Sequence, residues 1–141
     1  KRFYSYKKGW FEEYDGVQVN FKKTDKNYTV HVVAGQKDFP DNINDCLKLQ
    51  KKISQEVEND FSNAKKFEKK TKKKFDKKGK SFQHAIAYIY NAEAPNKEWQ
   101  IAIVCDDWSK EVTSEHKMQD NLNVSIRSPE FVQFLRYEAF K

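Results

Sequence analysis

FQHAIAYIYNAEAPNKEWQIAIVCDDW, residues Phe82 to Trp108, is the stretch whose reading decides the fold. Phe82, His84, Ile86, Tyr88 and Tyr90 fall on one side at period two, while Ala85, Ala87 and Ile89 fall on the other. Asn91 to Glu98 carries Pro95 and Asn96 and cannot continue a strand. Trp99, Ile101, Ile103 and Cys105 then alternate with Gln100, Ala102, Val104 and Asp106. Pairing Tyr90 with Trp99 sets Tyr88 against Ile101, Ile86 against Ile103 and His84 against Cys105. One face of this hairpin is bulky and the other is small. A small face lets a helix approach closely and a bulky face needs its own cover, so both read as buried and the strands as central. Trp99, Ile101, Ile103, Ile86 and Tyr88 are the expected centre of the core.

Immediately upstream lies KKFEKKTKKKFDKKGK, residues 65–80, with ten lysines against Glu68 and Asp76. Its local charge is +8 in a chain whose formal total is +6, so the remainder carries −2. Phe67, Thr71 and Phe75 fit both strand and helix spacing. A strand is expected, because a helix continued through this run would reach about 35 residues, far beyond the usual length. Asp76 to Gly79 then turns it back into Phe82. A lysine-studded strand is also a common way for a sheet edge to resist unwanted pairing.

Further upstream, residues 1 to 34 read as an antiparallel meander. Phe3, Tyr4 and Tyr6 begin it, Phe11 and Tyr14 lead to the turn signal Asp15-Gly16, and Val17, Val19 and Phe21 alternate with polar partners. Lys23 to Asn27 is a polar turn, after which Tyr28, Val30 and Val32 return. Gly35 to Pro40 reads as loop. Ile43, Cys46, Leu47, Ile53, Val57 and Phe61 form one helical stripe, predicting a helix over 42–61 that lies across the sheet. Downstream of Trp108, residues 109–120 are polar and read as loop. Leu122, Val124 and Ile126 make a short last strand, and Ser128-Pro129 starts a terminal helix with Phe131, Phe134, Leu135 and Ala139 on its buried side. The expected fold is therefore α+β: a mostly antiparallel sheet of about six or seven strands covered by two helices, like an α/β/α sandwich. Residues 1–141 read as one domain.

This order of strands, helix, long lysine-rich hairpin, strands and terminal helix resembles the PsbP-like fold of small extracytoplasmic proteins. The residues behind the resemblance are Lys73 to Tyr90 around Gly79, then Trp99 to Cys105, then Leu122 to Phe134. It covers nearly the whole chain as an order of elements, and transfers no motif and no site residue. What it implies is a non-catalytic binding or assembly module, periplasmic or secreted.

Cys46 and Cys105 are the only cysteines. They suit one disulfide outside the cytosol, or two inert buried thiols inside it. Because the helix stripe carrying Cys46 should pack on the central strands, the two are expected to be bonded or close. The alternative use of Cys105 is as a nucleophile with His84, its expected cross-strand neighbour, in a small hydrolase or transferase. A buried central strand is a poor place for such a group, since catalytic side chains concentrate on strand ends and loops.

No P-loop, G-x-G-x-x-G, C-x-x-C or H-x-x-x-H pattern is present, and His31, His84 and His116 are far apart in sequence. DNIND at 41–45 lacks the glycine and terminal Glu of a calcium loop. No cofactor and no metal is expected. No run of about 18 apolar residues exists for a membrane span. The feature left to carry function is the lysine run, with Lys69, Lys70, Lys72, Lys73, Lys74, Lys77 and Lys78 as candidate binding residues. An anionic surface or an acidic protein is the expected partner. Nucleic acid is a third reading, disfavoured because the run has no arginine to fork onto bases or phosphates.

Overall fold

The computed structural model describes residues 2–6, 13–94 and 96–139, the first five by backbone alone. Strands β1 (Arg2–Tyr6), β2 (Gly16–Phe21) and β3 (Val30–Asp38) form an antiparallel meander, as the alternation after Asp15-Gly16 requires. Phe11 lies outside the described residues. The loop expected from Gly35 begins only after Asp38, because Gly35 continues the strand. A Cβ at Gly35 would sit 2.7 Å from the Tyr14 ring, so the missing side chain makes room for an aromatic cover rather than breaking the ladder.

Helix α1 (Ile43–Asp60) starts at Asn42, whose side-chain oxygen accepts from the Asp45 amide. Beyond it follow β4 (Lys65–Lys72), β5 (Phe82–Tyr90) and β6 (Trp99–Asp107). A short helix α2 (Lys110–His116), strand β7 (Asn121–Arg127) and helix α3 (Pro129–Tyr137) complete the described order. Three helices replace the expected two, because the polar stretch after Trp108 forms α2. The Ser109 hydroxyl caps it and the left-handed Lys117 ends it, while only Val112 is buried, so its seven residues leave no apolar stripe to read.

The strands make one sheet in the order β1-β2-β3-β7-β6-β5-β4, antiparallel throughout. The central ladder pairs Tyr90 with Trp99, Tyr88 with Ile101, Ile86 with Ile103 and His84 with Cys105. Helix α1 covers the face of this ladder that carries Tyr88, Ile101, Ile103, Cys105 and Leu122, and Cys46 is bonded to Cys105 beneath it. Its buried stripe also contains Gln50 and Ser54. The Gln50 amide donates to the His84 and Ile103 carbonyls, both at 2.8 Å, and Ser54 Oγ lies 2.6 Å from the Tyr88 hydroxyl. These polar anchors are satisfied, which is what lets them sit inside the interface.

The opposite face buries Val32, Ala34, Ala102 and Ser125 on three adjacent strands, with α3 packed against β3 and β6. Ser128 caps α3 and Pro129 opens it, and Val132 is its buried residue. Trp99 is not part of the core centre: it is 46% exposed. Helix α1 ends at Asp60, and an open apolar groove of 250 Å³ lies between Phe61, Tyr90, Trp99 and Ile126. No described helix is long and apolar enough to cross a membrane.

Candidate functional site

Strand β4 is the outermost strand beyond β5, paired from Lys65↔Ile89 to Lys72↔Phe82. Alternation divides its side chains. Lys66, Glu68, Lys70 and Lys72 share the α1 side with His84 and Tyr88, and Lys65, Phe67, Lys69 and Thr71 share the other with Ala85 and Ala87.

Four of the ten lysines are spoken for. Lys66 bridges Glu58 at 2.8 Å and Glu68 at 2.7 Å, and these hydrogen bonds hold its ammonium well above the usual lysine range. Lys65 meets Glu93 at 2.6 Å, and Lys80 meets Glu111 at 2.8 Å. Lys73 pairs with Asp106 at 2.6 Å while its ammonium lies 4.7 Å from the centre of the Trp108 ring. With its side chain only 18% exposed, Lys73 is a structural tether rather than the contact residue expected from sequence. Lys69, Lys70, Lys72, Lys74, Lys77 and Lys78 are exposed and have no carboxylate within ion-pair distance among the described residues. Lys70 rests 4.4 Å over the Phe82 ring, a cation–π contact made by an exposed side chain.

The turn that carries three of these lysines is built on Asp76. Its carboxylate accepts from the amides of Lys78, Lys80 and Ser81 and from the Ser81 hydroxyl, at 2.7 to 3.1 Å. Those donors, the Ser81 hydroxyl foremost, pull its pKa down to about 2. The Ser81 hydroxyl in turn accepts from the amide of Ser109, the residue capping α2. Gly79, with φ of +68°, supplies the left-handed step that brings the chain back around the carboxylate. A loop with this many internal bonds is held in one shape. Next to Asp76, Phe75 lies edge-on to His116 at 4.8 Å and to Trp108 at 6.5 Å, yet remains 53% exposed. Phe67 is also 53% exposed. The sequence marks Asp76 as the start of the turn, but shows neither the hydrogen bonds its carboxylate collects nor the exposure of these rings. The signal for the turn was the Asp three residues before Gly79.

The other candidates separate. His84 and Cys105 are cross-strand partners, but the Cys105 sulfur is bonded to Cys46 and wholly buried, so the pair has no thiol. His84 Nε2 lies 3.8 Å from Asp107 and makes no hydrogen bond. His31 sits apart, with Nδ1 3.1 Å from Ser128 Oγ, and His116 sits beside Phe75 and Glu115. Among the described residues, no cluster of three or more His, Cys, Asp or Glu side chains is placed to hold a metal ion. Comparison of this chain with protein-family models, with curated proteins and with solved structures finds no match in any of the three.

Proposed function

We propose that this chain is a non-enzymatic binding or assembly module whose lysine-rich hairpin meets an anionic partner. The observation that carries the reading is the set of six uncompensated lysines on one edge strand and its Asp76-locked turn. A charged surface held in one conformation loses less conformational freedom on binding than a flexible lysine tail would. The Cys46–Cys105 bond supports an oxidising, extracytoplasmic setting, periplasmic or secreted.

The test is a binding titration at low and physiological salt against anionic vesicles, a single-stranded oligonucleotide and polyglutamate. Wild type is expected to bind at least one of them, with affinity falling as salt rises. Replacing Lys69, Lys70, Lys72, Lys74, Lys77 and Lys78 with Gln is expected to abolish that binding. Wild type binding none of the three, or the neutralised chain binding as well, overturns the reading.

A further inference from the structure

We infer that the anionic partner is a lipid bilayer surface, and that Phe67 and Phe75 enter its headgroup layer between the lysines. The inference rests on the hairpin reading above and gives it a partner. Phe67 stands between Lys65 and Lys69 on the strand side turned away from α1, and Phe75 follows Lys74 and precedes Lys77 and Lys78. Both rings are 53% exposed. A chain of contacts links Phe75, in the turn, to the side that carries Phe67. Asp106 lies on the Phe67 side of the ladder, it fixes Lys73, and Lys73 lies over the same Trp108 ring that Phe75 meets edge-on. On this side β5 presents Ala85, Ala87 and Ile89, and α3 packs over β3 and β6 rather than over β4. The hairpin therefore offers a basic surface with two half-exposed rings, and beside Phe75 an open pocket lined by Lys74, Lys77, Lys78, Glu111, Glu115 and His116.

Spacing selects among the anionic partners. From Phe67 to Lys73 the chain runs in ladder geometry for six residues, roughly 20 Å, and Phe75 lies two residues further. Rings that far apart cannot stack successive bases of one strand, which is how aromatic platforms hold single-stranded nucleic acid. An acidic protein would need two matching pockets at the same separation. A bilayer accepts apolar side chains at any spacing and supplies diffuse negative charge above them, which suits lysine point charges better than a search for arginine forks. Lysine stems can also lie along the interface while their ammonium groups reach the phosphates.

The experiment is co-sedimentation with phosphatidylglycerol–phosphatidylcholine vesicles and with pure phosphatidylcholine vesicles, beside polyglutamate and oligonucleotide titrations. Variants are Phe67→Ser, Phe67→Leu and Phe75→Ser, each first matched to wild type by circular dichroism. Phe67 has no ring partner among the described residues, so Phe67→Ser is the variant least exposed to a folding defect. The expected result is salt-dependent binding to the anionic vesicles only. Phe67→Ser should lower that affinity about five- to tenfold at unchanged charge, with Phe67→Leu close to wild type. Binding to polyglutamate or oligonucleotide but not to vesicles, or vesicle binding indifferent to both serine variants, overturns the lipid inference and leaves the hairpin reading standing. No binding to any probe overturns both.

Discussion

Cys46 in α1 and Cys105 in β6 are bonded across a separation of 59 residues, with their Cα atoms 6.1 Å apart and both side chains fully buried. The bond ties the covering helix to the middle of the sheet, and the closed loop includes the whole lysine hairpin. Loop closure of that length restricts the unfolded chain by about 4 kcal/mol in the chain-entropy account. The variant with both cysteines replaced by Ala should therefore show a loss of about that size in urea unfolding. A loss below about 1 kcal/mol would mean that the helix–sheet interface holds without the cross-link.

Ile103 and Trp99 sit on the same face of β6 but in opposite circumstances, one with no exposure and the other 46% exposed. Ile103→Ala should cost roughly 2–5 kcal/mol through lost burial and the cavity left under α1. Trp99→Ala should cost clearly less. Equal shifts of the two unfolding midpoints would place the core elsewhere along the ladder.

Asp76 supplies the pH dependence of the hairpin. Its carboxyl lies below the ordinary aspartate value of 3.8, at about 2, because the folded turn donates hydrogen bonds to the ionised form. A depressed folded pKa gives stability that is present above the unfolded value and is lost as pH falls through the folded one. The turn should accordingly hold at neutral pH and loosen between about pH 4 and pH 2. Amide exchange at Lys78, Lys80 and Ser81 reads this directly. In Asp76→Asn the same amides should be less protected at neutral pH, and their protection should no longer change across that acid window.

Lys73 and its neighbours should respond oppositely to neutralisation. Lys73→Gln takes the ammonium away from the largely covered Asp106 carboxylate, which keeps its hydrogen bond from Gln83, and should cost roughly 1–3 kcal/mol. Exchanging Lys69, Lys72, Lys74, Lys77 and Lys78 for Gln removes mutual repulsion and should leave stability unchanged or slightly raised. Thermal melting of the two variants separates the tether from the contact surface. A destabilised five-site variant would show that those lysines belong to the fold.

The central hairpin was legible because bulky and small residues alternate without interruption on both sides of a connector that cannot be strand. The alternation settled which side chains share a face, since a shift of one residue would exchange the two faces, and pairing Tyr90 with Trp99 across the connector then set the register. Helix α1 was legible from its apolar stripe, though Gln50 and Ser54 were not, because their burial depends on carbonyls and a hydroxyl contributed by distant strands. Helix α2 escaped because one buried valine makes no periodicity. Gly35 misled because glycine marks loops more often than it marks a ring packed against a strand. In the lysine run, composition revealed the charge but not its bookkeeping: which lysines remain uncompensated depends on Glu58, Glu93, Asp106 and Glu111, which only the folded chain brings near.

The position of β7 has a consequence for the order in which this sheet can be assembled. The strand is the last of those described in sequence, yet it lies between β3 and β6 and supplies both of their ladders. During synthesis the β1–β3 meander and the β4–β6 hairpins can each form as they emerge, but nothing joins them edge to edge until Asn121 to Arg127 is available. Until then β3 and β6 are two open edges on one nascent chain, the kind of surface that invites pairing with a neighbour. The cross-link between Cys46 and Cys105 becomes possible earlier, once β6 is out, and would pin the helix over the half-built core while the sheet waits for its middle strand.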